Sequence, residues 1–339
     1  MVARRCGLTA MTVTRALRPG ASVAPGTRAK VLKVVQELGY HPQPNMGRPR
    51  HGVPPRRHAV EVILGHHMTS DFYLALLSSI EHELAVRGLD CIIRSASADL
   101  ERFIGLCECL RADRSVPTLV VGYLPTRQLE VLLEVRPNAV LVDHTGDPSV
   151  RVPYRSIGFD NVEAARLVTR HLLEAGRRRI LLVSGFRGHY FSREIAQGYR
   201  EALAEHGAGV DPALVVETDF TMAQAALRIA EALDRGLAFD AVLTNDQMAV
   251  AVLGTLARRG RRVPDDVAIA GLDGLPIGEF IVPSLTTARL DYALLGQLAV
   301  TCVCDEKTAR SPVRQRILPE LVVRESTQES TQGVRTCPT

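Results

Sequence analysis

Two regimes of hydrophobic spacing divide the chain. In residues 2–40 the apolar positions come in short runs at three- and four-residue intervals. These are Val2–Cys6, then Val13 and Leu17 within Ala10–Arg18, then Val31, Val34, Val35 and Leu38 in a segment opening at Pro25. Such spacing predicts three short helices. Gly7 supplies a turn, Thr9 is placed to N-cap the second helix, Pro19-Gly20 stops it, Pro25 suits the first turn of the third, and Gly39 ends that one. From Ala59 onward, β-branched runs alternate with helical stretches. The predicted strands are Ala59–Gly65, Leu89–Arg94, Thr118–Tyr123, Asn138–Val142, Ser156–Phe159, Ile180–Ser184, Leu214–Glu217, Ala241–Asn245 and Val267–Leu272. Amphipathic helices lie between most of them, such as Asn161–Ala175 and Gln247–Arg259. This alternation predicts an α/β fold of parallel sheets covered by helices on both faces. A run of roughly 270 residues is too long for one open sheet of typical size, so two lobes are expected, with any ligand in the cleft off the carboxyl ends of their strands.

Charge sharpens the division. Residues 1–58 carry eleven Lys or Arg and one acid, Glu37, whereas the remaining chain has 30 basic and 36 acidic residues. A strongly basic helical head on a mildly acidic body points to a polyanion partner for the head alone. Two helices joined at a glycine-containing turn, the second short and capped by Thr9, form a helix-turn-helix, here an all-α head preceding the α/β core. Its second helix turns Ala10, Met11, Thr14, Arg15 and Arg18 outward, where the N-terminal residues of such a helix meet base edges in the major groove. Arg15 can take a guanine bidentately or grip a phosphate, and Met11 can make apolar contact with a thymine methyl.

The head resembles that of the LacI (lactose repressor) family of transcriptional regulators. The resemblance runs from Val2-Ala3 through Gly7-Leu8-Thr9-Ala10-Met11-Thr12-Val13-Thr14-Arg15-Ala16-Leu17 to Glu37-Leu38-Gly39-Tyr40-His41-Pro42. It departs from the family at three points. The family's first helix starts several residues earlier, so a miscalled start at Met1 is an open alternative. Ala24 stands where the third helix usually has a serine cap. In the hinge, where family members form a short helix on DNA and wedge a leucine into the minor groove, this chain has Pro49, and Pro42–Pro55 holds five prolines and two glycines. Gly47-Arg48-Pro49-Arg50 is similar to the core of an AT-hook. The segment reads either as an extended strand laying Arg48 and Arg50 along a narrow minor groove or as a flexible basic linker.

The same family resemblance continues through the core. It is carried by Ser156-Ile157-Gly158-Phe159-Asp160-Asn161 with Ala164-Ala165-Arg166, by Thr244-Asn245-Asp246-Gln247-Met248-Ala249, by Val263–Asp273, by Pro283-Ser284-Leu285-Thr286-Thr287 and by Leu318–Ser326. It implies a two-lobed core like that of periplasmic binding proteins. The implied division is a head at 1–41, a hinge at 42–58, one lobe at 59–160 with 290–326, a second at 161–289, and a disordered tail at 327–339. For the ligand, the resemblance and the strand ends together nominate Ser70, Asp71, Phe72, Tyr73, Asp143, Phe159, Asn245, Asp246 and Asp273, whose carboxylates and amides suit sugar hydroxyls. Asn245 and Asp246 also read as caps of the following helix. Many family members have a ligand-gripping arginine where this chain has Ile195. Arg193, two positions earlier, is the nominated substitute, and the motifs look most like the gluconate-responsive branch. A sugar acid is therefore expected, met by Arg193, Arg187 or His189.

The expected partners are a palindromic double-stranded DNA operator, the small-molecule effector and a second copy of the chain, with no membrane and no cofactor. The longest apolar runs fall far short of the ~20 residues of a membrane span, and no secretory signal core follows the basic N-terminus, so a cytoplasmic protein is expected. Seven cysteines, including Cys107-x-Cys109 and Cys302-x-Cys304, show neither a disulfide framework nor zinc-ligand spacing. A solute-binding protein of the periplasmic class shares the core fold but gives no account of the basic head. An enzyme is not expected, since there is no phosphate-binding glycine loop and no nucleophile elbow.

Overall fold

The computed structural model describes residues 2–17, 23–37, 59–66, 70–113, 115–144, 149–305 and 314–328. The predicted Arg18, Arg48 and Arg50 contacts, the whole hinge and residues 329–339 lie outside them. The chain divides into two compact units, residues 1–55 and 56–339.

Among its described residues the first unit holds three helices, α1 (Val2–Cys6), α2 (Ala10–Leu17) and α3 (Pro25–Glu37). They close over a small core of Cys6, Val13, Ala16, Val31 and Val34, with Ala3, Leu8, Val23 and Val35 packed around it. Gly7 takes φ +63°, a left-handed turn suited to glycine, and Leu8 N–H donates to Ala3 C=O across it. Thr9 Oγ1 accepts from Thr12 N–H at 3.2 Å, which is the predicted cap. Among the described side chains of α2, Val13 and Ala16 point inward.

The second unit contains two six-stranded sheets. The first consists of β1 (Ala59–Leu64), β2 (Asp90–Ser95), β3 (Thr118–Val121), β4 (Val140–Val142), β5 (Arg155–Phe159) and, far later in the chain, β11 (Arg314–Ile317), in the order β11-β5-β4-β3-β1-β2. The second consists of β6 (Ile180–Ser184), β7 (Val215–Glu217), β8 (Ala241–Leu243), β9 (Ala268–Asp273), β10 (Thr286–Arg289) and β12 (Glu320–Val322), in the order β12-β10-β9-β8-β6-β7. Every pairing is parallel except β10 with β12. The central strands are buried on both faces, so they read as unbroken apolar runs such as Ile180–Val183.

In the first lobe, α4 (Asp71–Val86) and α12 (Tyr292–Cys304) cover one face, and α5 (Leu100–Arg111) and α6 (Thr126–Val135) pack with the other. In the second lobe, α7 (Asn161–Glu174) and α8 (Tyr190–Glu205) pack on one face, and α9 (Met222–Asp234) and α10 (Asp246–Arg258) on the other. The chain passes between lobes three times: from β5 into α7, from β10 into α12, and from β11 into β12.

The structure corrects two expected boundaries. The last segment does not stay in the first lobe through residue 326. After β11 it crosses back, and β12 pairs with β10 through Thr287, Ala288 and Arg289. The expected tail does not begin at Thr327. Thr327 is buried, and its hydroxyl lies 2.7 Å from Thr286 Oγ1 and 2.8 Å from His171 Nε2. Ser326 Oγ accepts from Thr286 N–H and donates to Ile269 C=O, so this end of the chain is part of the second sheet's hydrogen bonding.

Close approach of α7 and α8 depends on a glycine. A Cβ on Gly198 would collide with the carbonyl oxygen of Val162 and press on Ala165. Gly198→Ala is therefore expected to lower stability by about 1–3 kcal/mol, the usual cost of overpacking a core. Gly209→Ala, where a Cβ meets nothing within 4 Å, should leave the thermal unfolding midpoint unchanged. Equal midpoints for the two variants would contradict the packing described.

Candidate functional site

A cavity of about 470 Å³ opens between the lobes. It is lined by residues that follow the carboxyl ends of strands, as the parallel topology requires. From the first lobe come Ser70, Phe72 and Tyr73 at the start of α4, and Asp143 just after β4. From the second come His189 and Phe191 at the start of α8, the run from Asp219 to Ala223 between β7 and α9, Asn245 and Gln247 at the start of α10, and Asp273 closing β9.

Backbone strain collects here. Among the described residues, the non-glycine positions with positive φ are Asp143 (+58°), Phe220 (+67°) and Asp273 (+114°), and all three line the cavity. Left-handed backbone at a bulky or branched-chain position costs of order 1–3 kcal/mol and tends to persist where it aims a side chain. Phe220 is held by its neighbours, since Thr218 Oγ1 accepts its N–H and Asp219 Oδ1 accepts both the N–H and the hydroxyl of Thr221. Its ring is 4.9 Å from that of His189 and 5.8 Å from that of Phe186.

The polar groups have distinct settings. Ser70 starts α4 without making a side-chain cap hydrogen bond, which leaves its hydroxyl for the cavity. Asn245 caps α10 through Oδ1, accepting Met248 N–H at 2.8 Å, and its amide NH2 takes no part in that cap. His189 caps α8, its Nδ1 accepting Phe191 N–H at 3.2 Å. Asp143 is 3% exposed and accepts the Tyr190 hydroxyl at 2.8 Å. Burial pushes its carboxyl up to about 8, the nearby Glu194 carboxylate adds to the rise, and the Tyr190 bond opposes it. Asp273 is raised well above the ordinary carboxylate range by burial and by the carboxyls of Asp246 and Asp143. Among the described residues, the lining contains three aspartates and no lysine or arginine.

Several sequence-nominated residues lie elsewhere. Asp71 is exposed in the first turn of α4 and Phe159 is fully buried, packed against Phe72 and Tyr292. Asp246 is the first residue of α10 and not its cap. Its Oδ1 accepts the Thr287 hydroxyl and its Oδ2 accepts Leu275 N–H, both at 2.6 Å, so it ties three elements of the second lobe together. Gly271 is needed beside it, because a Cβ there would strike Asp246 Oδ1. Arg193 faces outward with Nη1 donating to Gly188 C=O, and Arg187, 86% exposed at its side chain, pairs with Glu217. Of the three groups expected to meet a ligand carboxylate, His189 alone lines the cavity.

Sequence reading missed Phe191, Gln247 and the run Asp219–Ala223. Its own strand at Leu214–Glu217 carried the signal, because residues just past a strand's carboxyl end are cleft candidates. In the head, Thr9 and Arg15 are exposed, and Ala10, Met11 and Thr14 fall on α2.

Comparison with known proteins agrees with both halves of the chain. Residues 2–43 match the family described as bacterial regulatory proteins, lacI family, and residues 169–327 match the periplasmic binding protein-like domain. The HTH-type transcriptional regulator CelR of Thermobifida fusca is 30% identical, with 96% of this chain and 97% of that protein aligned. The repressor CytR of Escherichia coli K12 is 27% identical over 96% of this chain and 95% of its own length. Among solved structures, a CelR–cellobiose complex superposes with a TM-score of 0.71 at 28% identity, covering 96% of this chain and 98% of that one. A lac repressor dimer bound to operator and the anti-inducer ONPF gives 0.71 at 22% identity over 96% of this chain and 97% of that one, a likeness of fold. With an exposed, capped helix in a basic head and a cleft at the strand ends of a two-lobed core, this chain belongs to the LacI family of DNA-binding transcriptional regulators with a sugar-binding effector domain.

Proposed function

We propose that the chain is an operator-binding repressor whose cleft takes a neutral sugar. The observation that carries the effector class is the lining itself: Asp143, Asp219 and Asp273 with Asn245, aromatic faces from Phe72, Phe191 and Phe220, and, among the described residues, no lysine or arginine. Carboxyl and amide groups exchange hydrogen bonds with hydroxyls, and aromatic rings cover the apolar faces of a sugar ring. A sugar acid would find no lysine or arginine among the described lining residues to offset the cost of desolvating its carboxylate. Support for the neutral class comes also from the relative solved with cellobiose, which makes cellobiose the first probe.

In the head, Thr9, Ala10, Met11, Thr14, Arg15 and Arg18 are the proposed contacts with the major groove, and Arg48 and Arg50 those with the minor groove. Pairing of two chains on a palindrome is supported by exposed apolar side chains on each lobe. Ile93 (57% exposed) lies on the edge strand β2, while Phe280 and Val282 are 79% and 87% exposed. Apolar residues on an unpaired strand edge call for a partner surface.

Sequencing genomic DNA captured by the purified chain should recover one shared palindrome, and recovery of unrelated fragments only would sink the operator reading. On that palindrome, Arg15→Ala should weaken binding by about 1–3 kcal/mol, with effector affinity unchanged. Calorimetric titration with cellobiose should beat gluconate, and Phe220→Ala should cost about tenfold in affinity through lost ring contact. A preference for gluconate would overturn the neutral class. Ile93→Lys combined with Phe280→Asp should shift the sedimenting species from dimer toward monomer.

A further inference from the structure

The lobes meet beside the cavity through a seam of rings and several hydrogen bonds, among them the Tyr292 hydroxyl donating to Asp273 C=O at 3.0 Å and a side-chain bond between Tyr73 and Tyr190. Tyr190, opening α8 of the second lobe, donates its hydroxyl to Asp143 Oδ2 of the first at 2.8 Å. The two residues are 4% and 3% exposed. Around this bond, His144 of the first lobe stacks on Tyr190 and Tyr123 on His189, with centroids 4.9 and 4.7 Å apart. These contacts span the boundary between the two lobes.

The groups facing Asp143 are almost all acidic or neutral. Tyr73 approaches from α4, Tyr190 and Glu194 from α8, and Asp273 from the end of β9. Asp246 and Tyr292 stand behind Asp273, and the imidazoles of His144 and His189 flank the seam. Arg316 and Arg193 act on Glu194.

We propose that Asp143 and Tyr190 form a proton-linked latch, in which the closed cleft holds Asp143 as a neutral carboxylic acid and its ionisation releases the lobes. The latch rests on the reading of the cleft as the effector site and adds its regulation. In the closed form, burial holds the Asp143 carboxyl up at about 8. Opening admits water and returns it toward an ordinary aspartate value of about 4. Between those limits the closed form binds more protons than the open one. Closure is therefore strongest at the acid end and weakens by up to about tenfold per pH unit as pH rises, until the carboxyl is ionised in both forms above about 8. Glu194, pushed up to about 7 mainly by burial, works in the same direction, because its ionisation sets a negative charge beside Asp143. An effector that binds the closed form loses affinity over the same range.

The chain contains no tryptophan, so Tyr123→Trp places a single reporter in the seam opposite His189. In the full-length protein its emission, followed from about pH 5 to 9 with cellobiose titrated at each step, should move from the closed toward the open value and level off above about 8. Asp143→Asn in the same background should hold the closed emission throughout, apart from a histidine component shared with the parent. Tyr190→Phe keeps the ring and removes the bond, so it should open at lower pH. A pH response that survives Asp143→Asn unchanged, or no response in the parent, overturns the latch. If Asp143→Asn does not give a cooperative melt, an unaltered transition in Tyr190→Phe does so instead. Cellobiose binding that persists while the emission ignores pH defeats the latch alone. A pH response without sugar binding defeats the effector reading alone.

Discussion

Parallel strands impose the constraint from which the site follows. Each βαβ step returns the chain so that the next strand again ends on the same side. Both sheets therefore deliver their loops to one cleft, and helices begin there. A helix start leaves N–H groups that need acceptors, and Asp160, His189, Thr221 and Asn245 supply them as caps at α7, α8, α9 and α10. Three of those four residues also line the cavity. Fold and site are thus built from the same side chains, and a residue such as Asn245 divides its two functional ends between helix and cleft. The left-handed backbone at Asp143, Phe220 and Asp273 falls at the same strand ends, where the chain must turn sharply out of a sheet while keeping its side chain aimed at the cavity.

Electrostatics separates the two ligands of such a regulator. The first 58 residues carry the basic excess, and the described cleft lining carries aspartates and His189 without a lysine or arginine. A polyanion is drawn to the head by many phosphate contacts, each releasing counterions. The described cleft lining offers a small anion no lysine or arginine to offset its desolvation. One chain can therefore meet DNA and a sugar without either competing for the other's site.

Much of this was legible in the sequence, for reasons that can be named. Long buried strands announce themselves as apolar runs, so β1, β6 and β9 were read within a residue or two. The strands missed were β10, β11 and β12, whose sequences (Thr-Thr-Ala-Arg, Arg-Gln-Arg-Ile and Glu-Leu-Val) are short and polar. β11 and β12 are sheet edges, where half the positions meet solvent and the apolar signature fades. The pairing of β11 with β5 also depends on contacts across more than a hundred residues, which local pattern does not carry. The Arg193 expectation failed for a periodic reason. Ile195 and Tyr199 are buried at i, i+4 on α8, so a side chain two positions before Ile195 lies on nearly the opposite face. Asp246 failed differently: at a helix start beside Asn245 it looked like cleft chemistry, but its two oxygens are already spent on Thr287 and Leu275.

That contrast bears on Asp143. Asp246 and Asp143 are both buried carboxyls pushed upward by desolvation, yet their surroundings differ. Asp246 accepts donors on both oxygens inside one lobe. Asp143 has its hydrogen bond across the lobe boundary, from a tyrosine hydroxyl that an asparagine carbonyl could accept equally well. An asparagine would avoid the cost of burying an ionisable group, and a hydrogen bond between neutral partners would be indifferent to pH. What aspartate adds at this position is the ability to change charge as the cleft opens. In a cleft that gains and loses water as it works, that property ties the geometry of the lobes to the protonation state of one side chain.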